Sequence, residues 1–157
     1  WLDPTTIAVG RGSRSNSAGI AQFSKLLHPL GIEVVSFDLP AYEDPEACLH
    51  LLSVVSPVDE DLAIIYAPLL PDGLRDLMTE YGYQLLEVPE EEFETSNGLS
   101  LNVLATAPRQ VIGIDGFPLT AELLRNAGCD VQVFSGDELC IPCEGGPTCL
   151  TRPLRRE

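Results

Sequence analysis

The sequence has little positive charge and no long apolar run, and each lack excludes a class of partner. Lys and Arg number 9 against 24 Asp and Glu, which makes the formal net charge −15. Such a surface repels phosphate backbones and anionic lipids, so we expect neither nucleic acid nor a membrane as a partner. No apolar run approaches the roughly 18 residues of a membrane-spanning helix. Small cations, by contrast, would be attracted by the field of the protein.

Histidine is scarce as well, and this limits metal chemistry. The chain holds only His28 and His50, and neither stands at ligand spacing from the Cys140-x-x-Cys143 pair. Because a structural zinc site needs about four ligands, we expect no metal and no cofactor, and an inert cysteine pair. The five cysteines are odd in number and come without a secretory signal, which is typical of reduced thiols in the cytoplasm.

The composition is that of a globular domain. Hydrophobic residues make up 45% of the 157 residues, which is enough to form one hydrophobic core. We therefore expect residues 1–157 to form a single domain. The chain opens at Trp1 within sequence that already has the pattern of folded structure. This beginning predicts a fragment of a larger protein or a processed chain.

A unit of strand, helix, glycine and strand recurs about every 50 residues. Gly31, Gly82 and Gly128 each follow a predicted helix, at the left-handed position that often ends one. A further strand is predicted before the second and third units, at residues 49–55 and 101–105. The predicted copies cover roughly residues 1–45, 46–97 and 98–148, with 149–157 starting the strand of a following unit.

This order predicts an α/β fold of ββαβ repeats, and a period near 50 is typical of propellers or arrays. A closed ring needs typically four or more blades, so about three copies predict that further units precede this chain. An open ring has exposed strand edges. We therefore expect a homo-oligomer or an association with the missing upstream half.

His50, Asn102 and Cys149 each stand near the start of a predicted strand, one in each copy. If the copies pack around an axis, these side chains converge on it. A thiolate beside a histidine can perform covalent catalysis, with the histidine as general acid and base. Gly145 and Gly146 would let backbone N–H groups approach a ligand. The alternative is a buried structural thiol and a hydrogen-bonded core histidine.

A polar loop, residues 11–17, follows the first predicted strand. Arg14 in this loop can hold a carboxylate in bidentate fashion, while Ser15, Asn16 or Ser17 can cap the next helix. The alternative is an exposed, capped loop without a ligand. Two acidic runs, Asp59 to Asp61 and Glu90 to Glu92, are predicted to be solvated turns, the first of them in a hairpin.

Three motifs together resemble the guanidino-group-modifying enzymes, which comprise amidinotransferases, arginine deiminases and dimethylarginine dimethylaminohydrolases. The motifs are Gly10-x-x-x-Arg14-Ser15-Asn16-x-x-Gly19, Leu49-His50-Leu51 and Gly145-Gly146-Pro147-Thr148-Cys149-Leu150-Thr151. The resemblance runs over essentially the whole chain and covers the later three-fifths of the family's domain. It implies a five-unit, pentein-like ββαβ propeller of which about three units are present.

The resemblance also implies a reaction. Cys149 would attack the guanidinium carbon of an arginine-like substrate and form an amidino-thioether. His50 would protonate the leaving amine and then activate water, or an acceptor amine in a transferase. Arg14 matches the position that binds the substrate's α-carboxylate. Asn102 is a weaker candidate for a hydrogen bond near the site.

Two departures from the family pattern stand out. Leu52 occupies the place where deiminases and amidinotransferases usually carry Asp, which favours a dimethylarginine dimethylaminohydrolase-like hydrolase. The acidic segment that grips the guanidinium would lie before Trp1, so we expect the isolated chain to be inactive. The alternative function is a non-catalytic binding or scaffolding protein on the same fold, which would need neither Cys149 nor His50.

Overall fold

The computed structural model describes residues 1–40, 49–152 and 154. The predicted border between the first two copies, at residue 45, lies outside this part of the chain. The strands are β1 (Thr6–Arg11), β2 (Glu33–Asp38), β3 (Val55–Pro57), β4 (Leu62–Ile65), β5 (Gln84–Glu87), β6 (Leu104–Ala107), β7 (Gln110–Ile114) and β8 (Asp130–Phe134). The α-helices are α1 (Ser17–Leu27), α2 (Leu74–Glu80), α3 (Glu90–Thr95) and α4 (Pro118–Asn126).

Three sheets form among the described residues, in the strand orders β1-β2, β3-β4-β5 and β6-β7-β8. The pairs β1/β2, β4/β5 and β7/β8 are parallel, whereas β3/β4 and β6/β7 are antiparallel. A helix connects the two strands of each parallel pair, as a parallel crossover requires. The predicted α/β class is thereby confirmed, and the second and third sheets have the predicted order of strand, strand, helix, strand.

The glycines that follow the predicted helices adopt the expected backbone. Gly31, Gly82 and Gly128 have φ angles of 74°, 86° and 86°, in the left-handed region that favours glycine. At the other end of a helix, Asn16 caps α1, because its Oδ1 accepts the N–H of Gly19 at 2.8 Å. Local chemistry read from the sequence therefore accounts for the glycines after these helices and for the start of α1.

The strands predicted at residues 49–55 and 101–105 begin later than expected. Residues Leu51–Ser53 and Leu99–Leu101 form 3-10 turns instead. In the second copy the ladder with β4 starts only at Val54, whose carbonyl accepts the N–H of Tyr66 at 3.0 Å. In the third, the N–H of Leu101 is used within its own turn. Consequently His50 directly precedes one turn and Asn102 directly follows the other, so the predicted equivalence of the two positions is wrong.

The described residues fall into two compact units. The first comprises Trp1–Leu51 and Pro68–Tyr83, and the second comprises Leu52–Ala67 and Gln84–Glu157. Within the first, the Tyr83 hydroxyl donates to the Leu2 carbonyl at 3.1 Å, and the Thr6 and Tyr81 hydroxyls lie 3.1 Å apart. These bonds tie the end of the α2 segment to the start of β1. Helix α1 buries none of its residues.

The second unit has a strongly apolar core. All four residues of β4 are fully buried, which is typical of a central strand. Arg109, at φ 57° in the turn between β6 and β7, donates to Asp59 at 2.7 Å, to Asp61 at 2.8 Å and to the Ala127 carbonyl at 2.7 Å. The hairpin predicted at Asp59 to Asp61 connects the antiparallel strands β3 and β4, and the carboxylates of Asp59 and Asp61 bind this arginine.

The prediction of a solvated turn at Glu90 to Glu92 is wrong. These residues begin α3, and Glu92 is only 7% exposed. The carboxylate of Glu92 accepts the N–H groups of Leu119 and Thr120, each at 2.8 Å, and the Thr120 hydroxyl at 2.7 Å. Glu92 is buried because it satisfies the exposed N–H groups at the start of α4, which has no side-chain cap of its own.

Candidate active site

The segment around Cys149 is a turn and not the predicted strand. The N–H of Leu150 donates to the Gly146 carbonyl at 3.1 Å, and the Thr151 hydroxyl donates to the Pro147 carbonyl at 2.6 Å. Proline favours this arrangement, because its fixed φ suits the first position of a helical turn and it has no N–H to satisfy. Cys149 is exposed on this turn with a free thiol.

Asn102 is the side chain that holds this turn. Its Nδ2 donates to the Cys149 Sγ at 2.8 Å, and its Oδ1 accepts the N–H of Thr148 at 3.1 Å. The Thr148 hydroxyl also donates to the Val103 carbonyl at 2.6 Å. The structure thus brings together Asn102 and Cys149, which lie far apart in sequence, within the second unit.

The two glycines before Cys149 make room for protein side chains. A Cβ at Gly146 would lie 2.6 Å from the Asn102 Cγ, and a Cβ at Gly145 would lie 3.3 Å from the Cys149 Cβ. The sequence predicts that both glycines let backbone N–H groups approach a ligand. In the structure, they instead let Asn102 and Cys149 pack closely against the loop backbone.

Three other cysteines among the described residues differ from Cys149 in exposure or surroundings. Cys129 and Cys140 are buried, and burial raises the pKa of both thiols; the neighbouring Cys143 and Cys149 raise that of Cys140 further. Cys143 is exposed like Cys149 and lies in the same loop. In the part of the chain that the structure describes, no group of three or more His, Cys, Asp or Glu side chains could hold a metal ion.

Arg14 and His50 both lie in the first unit, and they interact electrostatically. Burial lowers the pKa of His50, and the positive charge of Arg14 lowers it further. Neutral imidazole is therefore favoured at neutral pH, the form that can accept a proton. Arg14 itself is exposed, as a side chain that binds a solvent-borne carboxylate must be.

Sequence reasoning missed Thr148 and the second role of Gly146. A signal for Thr148 was its place directly before the candidate nucleophile. Nothing local in the sequence indicates that Gly146 faces Asn102, because that contact spans more than 40 residues. Among the described residues, every helix is too short or too polar to cross a membrane.

This chain is similar in sequence to known proteins of one enzyme family. The arginine deiminase family model matches residues 70–156, more than half of the chain. A dimethylarginine dimethylaminohydrolase from Streptomyces coelicolor is 30% identical over an alignment of 143 residues, which covers 88% of this chain and 48% of the relative. An arginine deiminase from Mycoplasma capricolum is 26% identical over an alignment covering 99% of this chain and 45% of the relative. The chain thus spans about half the length of these curated relatives.

Solved structures show the same fold. An amidinotransferase of saxitoxin biosynthesis from Microseira wollei superposes with a TM-score of 0.80 at 19% identity, over 96% of this chain and 44% of the other. A dimethylarginine dimethylaminohydrolase from Pseudomonas aeruginosa, a Cys-to-Ser mutant complexed with citrulline, gives 0.67 at 21% identity, over 92% and 49%. At these identities the likeness shows the fold alone.

Proposed function

The chain belongs to the guanidino-group-modifying enzyme superfamily, and from this premise we propose that it carries the nucleophile of a cysteine-dependent enzyme acting on arginine or a substituted arginine. The observation that carries the proposal is the Cys149 thiol, exposed and held by the Asn102 Nδ2 at 2.8 Å within the segment matched by the family model. Cys129 and Cys140, by contrast, are buried. An exposed, oriented thiol is what nucleophilic attack requires.

The reaction proceeds in two halves. His50 takes the thiol proton as the Cys149 Sγ attacks the guanidinium carbon, and the tetrahedral adduct collapses when a C–N bond breaks and His50 passes that proton to the departing amine. This leaves an amidino group bonded to sulfur. His50 then takes a proton from water, whose oxygen attacks the same carbon; the C–S bond breaks, and the thiolate and a ureido product are released.

The pair of Arg14 and His50 suits this sequence of proton transfers. We assign the substrate's α-carboxylate to Arg14. In the free protein burial lowers the pKa of His50, and the charge of Arg14 lowers it further. A bound carboxylate would offset that charge and favour protonated imidazole. Substrate binding therefore prepares His50 to donate the proton that the leaving amine needs.

Hydrolysis is favoured over transfer to an amine. Leu52 stands where deiminases and amidinotransferases usually carry Asp, and the Streptomyces coelicolor dimethylaminohydrolase aligns with 88% of the chain. The net charge of −15 suits a cationic substrate. We further propose that the three described sheets correspond to units of a five-unit ββαβ propeller, in which Cys149, His50, Arg14 and Asn102 serve one substrate.

The test is ureido product formation, citrulline from arginine or methylated arginine, by a protein of the relatives' length that contains this chain. Cys149→Ser should abolish turnover, whereas the matched variant Cys143→Ser in the same loop should retain it. Turnover by Cys149→Ser would overturn the proposal. The 157-residue chain alone should be inactive, and citrulline release from it would contradict that expectation. No turnover together with equal alkylation of Cys149 and Cys143 would favour the scaffolding alternative.

A further inference from the structure

The Asn102 amide has an orientation that its partners determine. A backbone N–H can only donate, so the amide atom facing the Thr148 N–H at 3.1 Å has to be the oxygen. The nitrogen then faces the Cys149 Sγ at 2.8 Å, and it directs an N–H at the sulfur. Asn102 is 7% exposed, which leaves the side chain little freedom to turn towards solvent.

We infer that Asn102 is a positioning residue for the Cys149 sulfur and not a contact for the substrate, an inference that rests on the proposed role of Cys149 as nucleophile. The Oδ1 is engaged by the loop and one Nδ2 hydrogen by the sulfur. A hydrogen-bond donor at this distance stabilises negative charge on sulfur and fixes the direction of its lone pairs. The same amide thus orients the nucleophile and presents an N–H donor to its sulfur.

Gly146 leaves the space that the Asn102 side chain occupies. A Cβ at position 146 would lie 2.6 Å from the Asn102 Cγ and Oδ1 and 2.7 Å from its Cβ, closer than real Cβ atoms approach. Only glycine at this position therefore admits the Asn102 amide. Thr148 adds a second attachment, since its hydroxyl donates to the carbonyl of Val103, the residue after Asn102. The turn is therefore bound both by the Asn102 side chain and by the Val103 carbonyl.

The first experiment measures alkylation of Cys149 by iodoacetamide at neutral pH, with Cys143 of the same molecule as internal reference and peptide mass spectrometry as the readout. This assay needs no substrate. Asn102→Asp keeps the acceptor for Thr148 but turns a carboxylate oxygen towards the sulfur. The Cys149/Cys143 rate ratio should fall about tenfold or more, because hydrogen bonds to charged groups are among the strongest. Asn97→Asp makes the same change at an exposed residue and should leave the ratio unaltered.

Gly146→Ala provides a second, uncharged route to the same effect. Its methyl group would displace the Asn102 side chain, so the ratio should fall in the same direction. In an Asn102→Ala background, Gly146→Ala should have little further effect, because the group it displaces is already gone. Circular dichroism and thermal unfolding confirm that each variant is folded. If Asn102→Asp does not fold, Asn102→Ala and Gly146→Ala decide the question.

Two results would overturn the inference. One is an unchanged alkylation ratio in folded Asn102 and Gly146 variants. The other, in a protein that turns over substrate, is a raised KM with unchanged kcat in Asn102→Ala, which would make Asn102 a substrate contact. The inference expects a lower kcat with KM nearly unchanged. A lowered alkylation ratio without any guanidine turnover would support the positioning role and count against the proposed function alone.

Discussion

At the scale of single residues, the chemistry depends on the surroundings of a thiol and an imidazole. Cys149 and Cys143 are both exposed in the same loop, yet Cys149 has the Asn102 Nδ2 as a partner at 2.8 Å. His50 is partly buried, and its pKa lies below the ordinary value of 6.5 because of burial and the nearby Arg14. Residue type alone therefore does not distinguish a candidate catalytic group from an ordinary one.

Arg14→Gln should raise the pKa of His50. Removing the guanidinium removes a positive charge that opposes protonation, so the pKa moves up towards 6.5 but stays below it, because burial remains. The measurement is an NMR titration of the His50 ring in both proteins. Arg11→Gln is the control, since the charge of Arg11 is paired with Asp38. A lower or unchanged pKa in Arg14→Gln would contradict the prediction.

At the scale of secondary-structure elements, α3 and α4 are joined by one buried carboxylate. Helix α4 starts with Pro118, which lacks an N–H, and the next two N–H groups both donate to Glu92. This is the task that a capping side chain usually performs from the residue before the helix. Here a residue more than 20 positions upstream performs it, so folding of α4 depends on the placement of α3.

Glu92→Gln should destabilise the protein by about 2 kcal/mol or more. The amide nitrogen that replaces one carboxylate oxygen presents hydrogens to a backbone N–H, of Leu119 or of Thr120, that can only donate, and the charge that strengthens all three bonds is lost. Urea denaturation should show a lower midpoint with a similar slope. Glu91→Gln alters an exposed neighbour of the same type and should be nearly neutral. Equal stabilities of the two variants would show that Glu92 does not stabilise the contact between α3 and α4.

At the scale of the whole molecule, the dominant property is negative charge. A net charge of −15 attracts cations over distances comparable with the screening length of the salt solution, about 10 Å at 0.1 M. A cationic ligand should therefore reach Cys149 faster than a neutral one of similar size at low salt. The effect belongs to the summed charge and to no single carboxylate.

Alkylation of Cys149 by a cationic haloacetamidine should slow several-fold between low salt and about 0.5 M salt, because mobile ions screen the attraction. Alkylation by neutral iodoacetamide should change little and serves as the control for general salt effects. Both rates are read from the mass of the Cys149 peptide. A parallel response of the two reagents would exclude electrostatic attraction as the cause.

Local patterns were enough for much of the fold and part of the candidate site. Apolar periodicity and glycine predicted α1, α2 and α4 with the strands on either side. The residues that form a buried helix face and those that form a left-handed cap lie within about ten residues of each other. Motif and spacing singled out Cys149, His50, Arg14 and Asn102, whose joint action stays a prediction. The turn at Cys149, the 3-10 turns and helix α3 were missed, because short segments follow hydrogen bonds to distant partners.

The sequence by itself determined the α/β class, the repeating order of elements and the family, because these depend on hydrophobic periodicity, turn chemistry and motifs that each lie within a short stretch. Only the tertiary structure decided that Glu92 is buried under α4, that Gly146 makes room for Asn102 and that the Asn102 amide faces the Cys149 sulfur. Those facts depend on which donors and acceptors the folded chain leaves opposite each other, over separations of more than 20 residues. No local pattern encodes such a pairing.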